Sequence, residues 1–183
     1  IRKYLRGRYD FRLLFHNNIP EVEQEDEIVV SDTAHFEQMV EAARARGLSY
    51  MGVTDHSQSA FYAGGLKPAD VKRQHEEIDR LNASLKDFRI FKGIESDILA
   101  DGSLDYEDDV LELFDFVIAS LHSSFNQPFE EMTERVLRAI SNPYTTMIGH
   151  VTTRLLLRRD GVALDMERVL SAASEEGVVV EVN

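Results

Sequence analysis

From Tyr50 onward the chain alternates short, β-branched apolar runs with longer amphipathic stretches, and the two periods predict different elements. Residues 50–54, 89–94, 114–120, 146–149 and 178–182 read as buried strands. Residues 36–46, 68–86, 106–113, 129–141 and 165–176 carry apolar positions at helical spacing. Such alternation predicts βα units and a parallel sheet, hence an α/β fold. The punctuation agrees. Gly47 and Gly177 each stand between a helical stretch and a strand, where a left-handed cap is wanted. Pro68 opens one helix and Asn142-Pro143 closes another. Asp101-Gly102-Ser103-Leu104-Asp105 and Ala63-Gly64-Gly65 are turn-forming loops. His35 and His75 fall inside helical stretches and are expected on helix surfaces.

The predicted strands share a peculiarity: their apolar runs stop abruptly in metal-binding groups. Met51-Gly52-Val53-Thr54 ends in Asp55-His56, Ile90-Phe91-Lys92-Gly93-Ile94 in Glu95-Ser96-Asp97, Val117-Ile118-Ala119-Ser120-Leu121 in His122, and Met147-Ile148-Gly149 in His150. In parallel α/β folds ligands gather at this edge of the sheet. One buried strand histidine is more often a hydrogen-bonded core residue than a ligand, but four strand ends in phase are not independent accidents. With the strands side by side, His56, Glu95, His122 and His150 converge on one mouth. Glu95 has two oxygens with which to bridge two ions, and neutral imidazoles leave an ion enough charge to acidify water.

Composition narrows the chemistry. With no cysteine, disulfides and thiolate sites are excluded, so a metal must be held by N and O donors, which suits Zn, Mn or Fe. The formal charge of −13 opposes nucleic acid binding by the chain alone. It reflects solvated helix faces such as Glu76-Glu77 and Glu130-Glu131, or carboxylates neutralised by cations. No apolar run approaches the roughly 18 residues of a membrane span, and the charged N-terminus does not read as a secretory signal, so a cytoplasmic location without membrane attachment is expected. Residues 1–26 are charged and aperiodic, with Arg2, Lys3, Arg6, Arg8 and Arg12; they read as a linker or packing segment from an upstream part.

Thr54-Asp55-His56-Ser57, Gly93-Ile94-Glu95-Ser96-Asp97-Ile98-Leu99, Asp101-Gly102-Ser103-Leu104-Asp105, Ala119-Ser120-Leu121-His122-Ser123 and Ile148-Gly149-His150 resemble, in order and spacing, the polymerase-and-histidinol-phosphatase (PHP) domain. The likeness covers residues 28–183, within a domain taken as 27–183. Met132-Thr133-Glu134-Arg135, Ala139-Ile140-Ser141-Asn142-Pro143-Tyr144 and Thr153-Arg154-Leu155-Leu156 are similar, more narrowly, to the C-terminal PHP domain of bacterial family X DNA polymerases. Leu5-Arg6-Gly7-Arg8-Tyr9-Asp10-Phe11 looks like the stretch joining the polymerase part to that domain. The resemblance implies a distorted TIM-like (β/α) barrel of seven strands with up to three divalent metal ions. It makes Asp32, His56, Glu95, His122 and His150 metal ligands, with Glu95 catalytic as the bridge between ions. Asp55 would orient a ligand rather than bind metal, and Arg154 would grip a phosphate oxygen. The implied activity is phosphoester hydrolysis at DNA 3′ ends, as a 3′–5′ exonuclease or 3′-phosphatase, with DNA reached through an attached polymerase part.

Two family features are missing. No His-x-His exists, since Glu27-Ile28-Val29-Val30 runs directly into Ser31-Asp32, and His16-Asn17-Asn18 lies too far upstream to replace it. The chain also reaches Glu181-Val182-Asn183 before an Asp-x-His on a last strand, so the barrel is expected to be incomplete at the C-terminus. Either the sequence omits a loop after Val30 together with a C-terminal segment, or the domain has lost one metal position. The first is favoured, because a barrel without its last strand leaves an unpaired edge. Two other functions compete with DNA-end hydrolysis: a small-molecule phosphatase of the histidinol-phosphate type, and a degenerate, non-catalytic scaffold.

Overall fold

A computed structural model of the chain describes residues 33–182, and the side chains from Phe36 onward. The expected linker, His16, Asp32 and the His35 side chain lie outside the described residues. The elements run α1 (Thr33–Ala45), β1 (Tyr50–His56), α2 (Pro68–Ser84), β2 (Arg89–Asp97), α3 (Asp108–Leu111), β3 (Phe116–Ser120), α4 (Phe129–Ser141), β4 (Thr145–Ile148), α5 (Met166–Glu176) and β5 (Val179–Val180). A short turn of 3-10 helix at Phe61–Ala63 interrupts the β1–α2 connection. Gly47 and Gly177 hold φ of 77° and 68°, the left-handed caps their positions called for.

All five strands are parallel and lie in chain order, β1-β2-β3-β4-β5. A doubly wound sheet reverses order at a switch point; this one does not. The arrangement is that of a partial TIM-like barrel, which is not closed among the described residues. β1 and β2 run further than their apolar stretches suggested, to His56 and Asp97, so the ladder continues through the candidate ligands. By contrast α3 keeps only one turn of the expected 106–113. Tyr106 is instead buried, its hydroxyl donating to the Leu66 carbonyl, and beyond Leu111 the chain tightens into turns closed by Leu113 N–H to Val110 O and Phe114 N–H to Leu111 O.

Register divides each strand between two faces. Ile94, Val117, Ala119 and Ile148 face the helices, packing with Met132, Val136, Ala139 and Ile140 of α4 and Val169 and Ala173 of α5. Val53 and Ile90 extend that side against Phe36 and Val40 of α1 and Ile78 and Leu81 of α2. The opposite, barrel-interior face carries a smaller apolar floor of Phe116, Ile118, Met147 and Phe91. There the Phe116 ring lies over Gly52 and Gly93: a Cβ at either would come within 2.6 and 2.2 Å of Phe116 Cζ. Only glycine admits this approach. The floor supports the polar residues one layer closer to the strands' C-terminal ends.

α4 adds an internal brace. Arg135, 2% exposed, donates from Nε to Leu99 O, from Nη1 to Ser123 O, Ser124 O and Gln127 Oε1, and from Nη2 to Ile98 O. Its planar fork thereby joins the loops that follow β2 and β3 and satisfies carbonyls that no ladder reaches.

Candidate metal centre

His56 and Glu95 are register partners on adjacent strands, and both point into the barrel because they share a face with Gly52 and Gly93. Asp97 pairs with Ser120, and His122 follows two residues later; Ala119 pairs with Ile148, and His150 again follows by two. The parallel ladder therefore brings four chain-distant side chains to one place. His150 Nε2 is 3.0 Å and His122 Nε2 3.3 Å from Glu95 Oε1, while His56 Nδ1 is 3.7 Å from Glu95 Oε2. The His122 ring centroid is 4.9 Å from that of His56 and 5.1 Å from that of His150. Glu95 thus presents one oxygen to two imidazoles and the other to a third.

Two overlapping groups have donor atoms within 4.8 Å of one another: Glu95, His122 and His150, and His56, Asp97 and His122. Hydrogen-bond chemistry decides how His122 divides between them. Asp97 Oδ1 lies 2.6 Å from His122 Nδ1, and an ionised carboxylate only accepts, so Nδ1 carries a proton. That leaves Nε2, the nitrogen facing Glu95 and His150, as the free donor atom. The first group could accordingly hold a cation, with Asp97 fixing the tautomer and orientation of His122.

The electrostatics fit a cation. Burial by itself would depress the His122 imidazolium, but Asp97 and Glu95 at its two nitrogens push it up to about 9. Burial likewise opposes ionisation of Glu95, yet the hydrogen bonds of His122 and His150 and the nearby His56 hold its carboxyl well below the usual range. His56 Nδ1 is buried without a hydrogen-bond partner, which leaves an unmatched nitrogen at the mouth. Imidazole and carboxylate without thiolate are what the composition required, and the residues present fit a divalent ion.

His150 adopts φ of 23°, uncommon for a residue with a side chain. Its N–H is held by Glu181 Oε2 at 2.5 Å, and Glu181 in turn donates its N–H to Ile148 O at 2.9 Å. The residue after β5 therefore clamps the strained turn that aims His150.

The remaining predicted positions fall elsewhere. Asp55 alternates with His56 and lies on the helix side of the sheet, where its Oδ2 accepts from Gln74 Nε2 at 2.6 Å. The structure does not bring it to the imidazoles. Arg154 is exposed in the loop after β4. His75, expected on a helix surface, is buried at 6% exposure with its ring 4.9 Å from Phe114, edge to face. It belongs to the stripe of Val71, Gln74, Ile78 and Leu81 that α2 turns toward the sheet. Asp97 and Glu181 were not singled out from the sequence. Period two places Asp97 on the same face as Glu95, which was the available signal; for Glu181 it was a carboxylate just beyond an apolar run.

Comparison with known proteins agrees with this geometry. Residues 28–183 match the family model described as the PHP domain. The chain is 46% identical over 146 residues to the DNA polymerase/3′-5′ exonuclease PolX of Bacillus subtilis, covering 80% of this chain and 26% of that protein. It is 32% identical over 161 residues to a probable phosphatase of Caldanaerobacter subterraneus, covering 81% and 56%. To a probable phosphatase of Caldicellulosiruptor bescii it is 30% identical over 174 residues, covering 89% and 65%. The chain thus spans about a quarter of the first relative and between half and two thirds of the others. Among the described residues no helix is long and apolar enough to cross a membrane.

Proposed function

The chain belongs to the PHP domain family of metal-dependent phosphoesterases, and on that premise we propose that it hydrolyses phosphoester bonds at DNA 3′ ends, as a 3′–5′ exonuclease or 3′-phosphatase. The observation that carries the chemistry is the meeting of Glu95, His122 and His150 around one point. The 46% identity to a polymerase/exonuclease, against 30–32% to probable phosphatases, favours the DNA end over a small phosphomonoester. The acidity of the chain assigns most of the grip on DNA to an attached polymerase part.

Glu95, His122 and His150 would hold one divalent ion, and the second oxygen of Glu95 with His56 would serve another, with Asp32 as a further ligand. Zn, Mn and Fe all suit these donors. A cation bound there supplies Lewis-acid activation of water and neutralises phosphate charge. The protein's own part is positional. Glu95 stays ionised through the neutral range, Asp97 retains the Nδ1 proton of His122, and Glu181 holds the backbone that presents His150. Arg154, exposed in the loop that follows His150, is the proposed contact to a phosphate oxygen.

An assay with added Mn²⁺ and 3′-labelled single-stranded DNA tests this reading. Release of nucleotides or phosphate, abolished by Glu95→Gln, is expected. A wild type that cleaves only small phosphomonoesters would establish the phosphatase alternative. No release of either product, with Glu95→Gln indistinguishable from wild type, would overturn hydrolysis altogether.

A further inference from the structure

We propose that Phe61 and Tyr62, at the tip of the β1–α2 loop, stack on the terminal base of the nucleotide whose phosphate enters the metal centre, and so select nucleotide esters; this rests on the DNA-end reading above. The loop starts at His56 itself. Both aromatic rings stand out from it, 84% and 66% exposed, with centroids 6.0 Å apart in edge-to-face contact. A single exposed ring needs no explanation, but this pair is carried by a loop hydrogen-bonded on both sides of it. Leu66 N–H donates to His56 O at 2.9 Å, Gly65 N–H to Ala60 O at 3.1 Å, and Tyr106 Oη–H to Leu66 O. From the far side Asp105 receives Ser59 N–H at 2.7 Å on Oδ2 and Gln58 Nε2 at 2.9 Å on its carbonyl. Ala60 and Leu66 are buried, at 0% and 2% exposure, while the two aromatics between them are not. The fold thus presents two aromatic faces to water from a hydrogen-bonded loop, an arrangement that suits stacking against a flat partner.

Hydrogen bonds anchor both ends of the loop beside the mouth: Ser57 N–H donates to Glu95 O at 3.0 Å, Ser57 Oγ accepts from Asp97 N–H at 2.9 Å, and Leu66 returns to His56 O. The Tyr62 phenol is raised by partial burial and then by the negative charges of Asp97 and Glu95, with Arg159 acting in the opposite direction. Tyr62 therefore lies within electrostatic reach of both carboxylates of the centre and of a cation from the β4–α5 connection. Arg159 is itself fixed, donating through Nε and Nη2 to Thr153 O at 3.1 and 2.7 Å with its guanidinium 4.0 Å above the Phe125 ring. An aromatic pair, a fixed cation and a metal centre offer contacts for a terminal base, the phosphate charge and the scissile phosphorus. A free phosphomonoester would use only the last.

The test uses two single-stranded oligonucleotides that differ only in their 3′-terminal residue, a normal nucleotide or an abasic tetrahydrofuran nucleotide. With wild-type protein and Mn²⁺, kcat/KM is expected to be about tenfold higher for the normal end, carried by KM, as loss of one stacked base predicts. In the Phe61→Ala/Tyr62→Ala protein the ratio should fall to about one, while Tyr62→Phe, which keeps the ring, should retain it. Metal content by mass spectrometry, equal in all three proteins, shows that the centre is intact. A wild-type ratio near one overturns the inference, as does a tenfold ratio that survives in the double variant, because the base is then read elsewhere. If wild type cleaves neither oligonucleotide yet hydrolyses p-nitrophenyl phosphate, the DNA-end reading has failed and the base platform falls with it.

Discussion

Asp97 Oδ1 sits 2.6 Å from His122 Nδ1, linking the last residue of β2 to the turn beyond β3. The contact commits one nitrogen of His122 to a carboxylate and turns the other toward Glu95. Orienting partners of this kind commonly contribute 10–100-fold to metal affinity. Asp97→Ala should therefore weaken Mn²⁺ or Zn²⁺ binding by about that factor in calorimetric titration, without abolishing it. Affinity equal to wild type would show that His122 is oriented by something else.

Cation binding should also depend on pH in a defined direction. In the metal-free protein His122 keeps its second proton until about pH 9, well above the ordinary histidine value of 6.5. A cation must displace that proton, so affinity is expected to rise about tenfold per pH unit between 6.5 and 9 and then level off. Stability of the metal-free protein runs the other way. The contribution from His122 is complete below pH 6.5 and is lost as pH rises through 9. Titrations against a competing chelator across this range check the first statement; a flat profile would contradict it.

His75 makes an acid-side prediction independent of the centre. Burial, and then the Lys92 charge, lower its imidazole to about 4. The native state thus favours neutral His75, and stability is lost as pH falls from 6.5 through 4, by up to about 3 kcal/mol. In chelator-treated protein, urea unfolding at pH 7 and pH 5 should differ less for His75→Leu than for wild type. Equal differences would mean that His75 does not titrate in this way.

Much of the fold was legible because apolar run length, helical period and Gly or Pro punctuation all report the backbone directly. The strand ends were legible for the same reason: an apolar run that halts at His56, Glu95, His122 or His150 marks the edge where a parallel sheet meets solvent. What stayed hidden depends on which way a side chain points. Asp55 and His56 are neighbours in sequence, but a pleated strand sends them to opposite faces, one to Gln74 and the other to Glu95. Glu95 and Asp97 share a face, and only atomic positions reveal that one meets three imidazoles while the other grips His122 from behind. His75 was misread as exposed because polar residue types conceal the buried stripe of α2, although the spacing 71, 74, 75, 78 is the helical one. The length of α3 could not be read either, since Tyr106 is withdrawn from the helix by a contact to Leu66, forty positions away in the chain.

Anomalous diffraction from crystals of the protein soaked in Mn²⁺ tests the proposed cation site most directly. A peak is predicted within about 2.0–2.3 Å of Glu95 Oε1, His122 Nε2 and His150 Nε2, and it should vanish in Glu95→Gln. Peaks only at other carboxylates, with these three side chains still hydrogen-bonded to one another, would contradict it.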